Sequence, residues 1–245
     1  MAADAIEDDL ARRFRIDRPP TLLARKSSKT RVGFSRLRSS RPMHGHSIAT
    51  APEEAFAFWV PLSVPFFSNL WTAGRRREVP ELRLGDAQLV DLGDYPVVSL
   101  DIPFDSIRFY ITQVALDEMA NEAGIRRVKR LYASNFGARD LVMFGLAQSL
   151  AGAMEQPGDL TAMFSDCVAL AFFLTLYPLM AAVRSGGGPP AEAWRRGNCS
   201  APVTSSMSIW HTIFRSQVSR MSADCRAAIL RGRSNGRRVL RPTSG

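Results

Sequence analysis

The chain has 245 residues, 46% of them hydrophobic and 22% charged, which suits one large globular domain or a medium one with appendages. A formal net charge of +9 would point to a nucleic-acid or anionic-membrane partner if it were spread over the folded part. It is not: from Arg184 onward there are eleven Arg, no Lys and only Glu192 and Asp224, and the residues before it are formally neutral. Cys167, Cys199 and Cys225 are an odd number without zinc-type spacing. Glu7, Asp8 and Asp9 stand where a secretion signal needs a cationic start, so a reducing cytoplasm is expected. Cys167 to Val183 is free of charge but shorter than the roughly 20 residues of a membrane span and contains Pro178, so a buried helix and no membrane partner are expected.

In chain order, residues 1–20 are charged, with Arg12, Arg13 and Arg15 ahead of Pro19 and Pro20, and read as a short helix in a loosely tied leader. From Thr21 to about Ile111 the texture is that of short strands between turn residues, at 21–26, 31–38, 54–61, 69–73, 87–92, 97–102 and 107–111, the pattern of a sandwich or barrel. The period changes after Thr112. Gln113 to Glu122 predicts a short helix. Asp140 to Glu155 predicts a stronger one with Val142, Leu146, Leu150 and Met154 recurring every four residues, ended by Pro157-Gly158. A second long helix, 159–177, presents Met163, Cys167, Leu170, Phe173, Leu174 and Tyr177, and the two form an antiparallel pair. Apolar residues on more than one side of this pair make Val142, Leu146, Leu150, Met163, Leu170 and Leu174 candidates for a homodimer interface. From Arg184 the Gly/Pro/Arg/Ser texture has no helical or strand period, and a disordered basic tail is expected.

Chemistry-bearing motifs are sparse. Met43-His44-Gly45-His46 holds the histidine pair of the folded region, and on a strand the two imidazoles of an H-x-H would share a face. A third ligand is lacking, since Glu53 and Glu54 lie further along and His211 sits in the tail, so no metal is expected. There is no phosphate loop, no G-x-S-x-G and no Cys-His pairing with a third group, so no catalytic residue and no enzymatic activity are expected. Asp91, Asp94, Asp101 and Asp105 read as turn and solvent-face residues, and Arg75-Arg76-Arg77 as a solvated loop. What remains is an aromatic-lined sandwich able to hold a small molecule. Its pocket candidates are His44, His46, Phe56, Phe58, Trp59, Trp71 and Tyr110.

Lys26-Ser27-Ser28, Leu37-Arg38-Ser39-Ser40, Leu84-Gly85-Asp86-Ala87, Leu92-Gly93, Asn135-Phe136 and the run from Phe164 to Ala171 occur in an order that resembles the regulatory half of AraC-type (XylS-like) transcription factors, over about residues 5–177. The resemblance implies an α+β architecture: a cupin-like β-sandwich or barrel that senses a small-molecule effector (21–125), then a helical dimerisation segment (126–180). It implies no cofactor. In that family a pair of helix-turn-helix motifs follows and binds DNA, whereas here residues 181–245 are the basic tail. Read one frame over, Val218 to Gly245 permit codons for LADECGLPGGHFARAFKRSAGSAPHQW, which resembles the first helix-turn-helix of the family. The expectation is a sensing and dimerisation module whose DNA-binding part was lost to a frame shift near residues 178–200. The rivals are a cupin-type metal-dependent enzyme and a protein acting through its basic tail at RNA or a membrane.

Overall fold

A computed structural model describes residues 3–24, 32–64, 69–79, 82–122, 127, 131, 138–158 and 161–182. All of them lie in the first of the two units of the chain, Met1–Asn198. The expected disordered tail falls outside the described residues.

The fold is α+β with antiparallel sheets. Helix α1 (Ala3–Phe14) precedes the strands β1 (Thr21–Leu23), β2 (Val32–Ser39), β3 (Ala55–Pro61), β4 (Asn69–Thr72), β5 (Arg75–Arg77), β6 (Asp86–Asp91), β7 (Val97–Ser99) and β8 (Phe104–Thr112). Helix α2 (Gln113–Glu122), the short β9 (Ala138–Arg139), α3 (Leu141–Glu155) and α4 (Thr161–Ala182) follow. A six-stranded sheet runs β1-β2-β8-β3-β6-β9 and a three-stranded one β5-β4-β7. Strand β8 is the hub, pairing with β2 from Val32↔Ile111 to Ser39↔Phe104 and with β3 from Ala55↔Thr112 to Pro61↔Ser106.

Because side chains alternate along a strand, the large sheet has two distinct faces. On one, Val32, Phe34, Phe56, Phe58, Val60, Ile107, Phe109 and Ile111 pack against α2, α3 and α4. Phe172 of α4 is wholly buried there, 5.0 Å from the ring of Phe109 and 5.3 Å from that of Phe58. On the other, Leu37, Ala55, Ala57, Trp59, Val90 and Tyr110 share a core with Leu70 and Val98 of the small sheet and with Leu10 and Phe14 of α1.

The leader is therefore not loose. Leu10 and Phe14 are each 2% exposed, and the Phe14 ring meets Trp59 edge-on at 5.3 Å. Sequence reading weighted the charges, but they occupy the outer side of a helix whose apolar side closes the core. A second correction concerns Arg75-Arg76-Arg77: these residues are exposed, but as a strand paired to β4, and the hairpin turns at Ala73-Gly74, both with positive φ.

The starts of two helices are chemically marked. Asp140 caps α3 by accepting from the Met143 N–H at 2.9 Å, and the Thr112 hydroxyl accepts from the Ala115 N–H at the start of α2. The buried side of α3, however, is Met143, Ala147, Leu150 and Ala151, while Val142 is 61% exposed. Residues four apart advance by about 40° around a helix of 3.6 residues per turn. A strip of four-residue steps therefore slants off the buried arc, and α3 is apolar nearly all round, so composition does not orient it.

At the end of α3, Arg36 forks Asp105 (Nε to Oδ1 3.0 Å, Nη2 to Oδ2 2.8 Å) and donates from Nη1 to Glu155 at 2.6 Å. Asp105 is thus an ion-pair partner and not a solvent-face residue, since Arg36 brings charge to the sheet face that the helices cover.

Two measurements check these contacts. Phe14→Ala should cost about 3–5 kcal/mol in denaturant unfolding, as for buried aromatic truncations generally, where a loose leader would cost nothing. The hydrogen bond from Arg36 holds the Glu155 carboxyl below its usual range. A depressed carboxylate contributes stability above its ordinary pKa and loses it as pH falls through the lowered one. Glu155→Gln should therefore lower Tm at pH 7, with the gap to wild type closing below about pH 4.

Candidate functional site

On the β1-β2-β8 part of the sheet, the face turned away from the helical pair borders a cavity of about 570 Å³, walled on the other side by α1 and by residues 50–53. Register explains its chemistry. Thr21 pairs with Ser35, Ser35 with Arg108, Arg108 with Trp59, and Trp59 with Gln88, so one row across five strands carries mostly polar side chains into the interior. Such cross-strand neighbours stand roughly 4.5–5.5 Å apart at Cβ. Thr21 and Ser35 satisfy each other through their hydroxyls at 2.9 Å. The next row places Gly33 opposite Tyr110, and a Cβ at Gly33 would stand 3.1 Å from the Leu23 Cδ2.

Three arginines of the wall differ in their partners. Arg12 is bound to Asp9 at 2.6 Å. Arg13, 6% exposed, donates to the Ile48 carbonyl at 3.3 Å and lies 3.8 Å from Asp9. Arg108, 5% exposed, lies with its guanidinium carbon 4.9 Å from the Tyr110 ring centroid, a cation–π geometry, and has no hydrogen bond or ion pair among the described residues. The nearby carboxylates are otherwise engaged. Asp8 pairs with Arg18 at 2.9 Å, Asp9 with Arg12 and Arg13, and Glu53 accepts from the Tyr110 hydroxyl. Burial, reinforced by the like charge of Arg13, pushes the Arg108 guanidinium down to about 10. Burial lowers Arg13 as well, against the opposing attraction of Asp9. The Thr50 hydroxyl, also on the cavity, is buried without a hydrogen-bond partner among the described residues.

Of the pocket residues expected from sequence, Tyr110 lines the cavity and the others do not. Phe56 and Phe58 point to the helix-facing core, the opposite side of the sheet. Trp59 shares the cavity-side face but is occupied by Phe14. Trp71 belongs to the small sheet and meets the His46 ring edge-on at 4.6 Å. His44 and His46 are exposed and lie on a loop: Gly45 has φ of 81°, which breaks the extended alternation that would let both imidazoles share a face. That loop serves to anchor α1, through Arg15 donating to the His44 carbonyl and Ile48 N–H donating to the Arg13 carbonyl. Among the described residues no group of three or more His, Cys, Asp or Glu could hold a metal ion.

Sequence reasoning missed Arg108, Arg13, Thr50 and Ser35. Their signal was present in the alternation Ser106-Ile107-Arg108-Phe109-Tyr110, but polar residues in such a pattern ordinarily face water.

The dimer candidates also divide. Leu150 is fully buried within this chain's own core and is thereby withdrawn as an interface residue. Val142 and Met163 are 61% and 44% exposed, and Leu146, Leu170 and Leu174 are half-buried. No described helix is long and apolar enough to cross a membrane.

No protein-family model matches the chain, and no curated protein does. Among solved structures the chain is similar to the AraC-like transcriptional activator CuxR, with TM-score 0.39 and 14% identity over 73% of this chain and 65% of that one. It is also similar to a variant of 2-hydroxyethylphosphonate dioxygenase, with TM-score 0.28 and 16% identity over 78% of this chain and 43% of that one. A third, Phpd with cadmium and hydroethylphosphonate, gives TM-score 0.25 and 17% identity over 79% and 44%. The chain spans less than two thirds of the length of each.

Gln88 is fully buried, and among the described residues neither its amide nitrogen nor its oxygen has a partner. Gln88→Met should raise unfolding stability by about 1 kcal/mol, because an unsatisfied buried polar group costs about that much or more. A loss of stability in denaturant titration would show that the amide is satisfied.

Proposed function

We propose that this chain is the effector-sensing and dimerisation module of an AraC-type (XylS-like) transcriptional regulator, acting in the cytoplasm as a homodimer without cofactor or catalytic turnover. The observation that supports the reading is the position of β8. Its Arg108 and Tyr110 side chains line the cavity, while Ile107, Phe109 and Ile111 on its other face carry the helical pair. A ligand that prefers one arrangement of this strand biases the helices packed behind it, and a ligand can shift an equilibrium only through such differential contacts. The sequence resemblance over residues 5–177 points the same way. In this reading DNA is reached only through the family's C-terminal domain, displaced here by the frame-shifted tail, and genomic DNA covering codons 170–245 tests that part directly.

The partner surface is the outward side of the pair. Val142 on α3, and Met163, Cys167, Leu170 and Leu174 at helical spacing on α4, leave apolar side chains exposed or half-covered. Exposed apolar surface of this kind marks association sites, and a symmetric pair would bury the same strip on both copies. Val142→Glu combined with Met163→Glu should convert dimers to monomers in sedimentation velocity with Tm changed by no more than about 2 °C, since surface substitutions cost little in the fold. If the wild-type chain sediments only as a monomer at micromolar concentration, the dimerisation reading is wrong.

A further inference from the structure

We propose that the cavity is an acceptor for an organic monocarboxylate, with Arg108 as the group that binds its carboxylate. The inference rests on the reading of this cavity as a sensing pocket and adds the chemical class of what it senses.

A buried cation without a counter-ion is costly, and it is kept only where something compensates it. Arg108 is 5% exposed, sits on the central strand, and lines the cavity without an ion pair among the described residues. The guanidinium carbon lies 4.9 Å from the Tyr110 ring centroid, and its N–H groups make no hydrogen bond or ion pair among the described residues. A planar fork of N–H donors matches the two oxygens of a carboxylate. Asp8 is ion-paired with Arg18 and Asp9 with Arg12 and Arg13, while Glu53 accepts from the Tyr110 hydroxyl; Glu53 and Asp9 attract Arg108 through space, but neither makes an ion pair with it. A buried guanidinium with no direct ion pair among the described residues leaves its N–H donors for one negatively charged partner. The unpartnered Thr50 hydroxyl supplies a further donor on the same cavity.

The rest of the wall indicates an organic body. A space of about 570 Å³ is far larger than an inorganic anion requires, and Ile6, Leu10 and the Tyr110 ring supply apolar surface beside the charge. A charged head against Arg108 with an apolar chain against Ile6 and Leu10 uses both.

The test is thermal unfolding of the full chain in hexanoate, hexanamide, inorganic phosphate and sodium chloride at matched ionic strength. Hexanoate at ten times its Kd should raise the wild-type Tm by about 3–6 °C. Hexanamide, of the same shape without the charge, should give less than a tenth of that affinity. Arg108→Met should abolish the hexanoate response. Arg108→Lys, which keeps the charge but loses the fork, should weaken it at least tenfold and serves if the Met variant fails to fold. Equal responses to hexanoate and hexanamide would leave a sensing pocket standing and overturn the carboxylate. A phosphate or chloride response equal to that of hexanoate would mean an inorganic anion only, and also overturns it. So would a wild-type chain indifferent to 50 mM hexanoate, or an Arg108 variant with an undiminished response.

Discussion

Strand β8 is bonded on both sides to the two longest partners in the structure, and every residue of it serves one of two environments. Ile107, Phe109 and Ile111 meet the helices; Ser106, Arg108 and Tyr110 meet the interior beneath α1. Pairing register then sets the neighbours of each: Arg108 stands between Ser35 and Trp59, and Tyr110 between Gly33 and Ala57. A slip of one residue would carry Arg108 into the aromatic cluster around Phe172 and put Phe109 into the polar row, exchanging both faces at once. The apolar face is thus what holds the charged one in place. Burial of Phe34, Phe109 and Phe172 with no exposure at all supplies the stabilisation against which a buried guanidinium without an ion pair among the described residues can be maintained.

Much of the architecture was legible because its signals are local. Alternation and β-branched content located β2, β3 and β8 within a few residues, and the change of period after Thr112 with the apolar recurrence over Asp140 to Glu155 located α2 and α3. What was not legible depends on partners distant in sequence. Whether Arg12 or Arg13 faces inward depends on a sheet that begins after the helix ends. In α3 the apolar residues surround the axis, so the choice of Met143 over Val142 for the buried side is made by the sheet and α4, not by the helix's own period.

The site was less legible than the fold, for a physical reason. Aromatic residues were read as pocket walls, since they are the usual lining of a ligand site. They are also the most effective way to fill a core, and Phe56, Phe58 and Trp59 do that. The polar strand residues that line the cavity, Thr21, Ser35 and Arg108, are ones a strand pattern assigns to solvent. They become interior because α1, itself read as a leader, lies across them. The misjudged leader and the missed site are one error: with α1 in place the outer face of β1, β2 and β8 becomes a lined cavity.

His44 and His46 illustrate the same dependence at shorter range. Their spacing satisfies the rule for two ligands on one face, but the rule presumes an extended residue between them, and Gly45 at φ of 81° is not extended. The turn it makes delivers the His44 carbonyl to Arg15 and the Ile48 backbone to Arg13, at the end of α1. The motif's work is therefore done by backbone, in fixing the helix that encloses Arg108. A change in this loop would act on the cavity without touching it: by loosening the end of α1 it would raise the exposure of a guanidinium now 5% exposed, and hydration would weaken the charge's attraction for whatever anion the cavity receives.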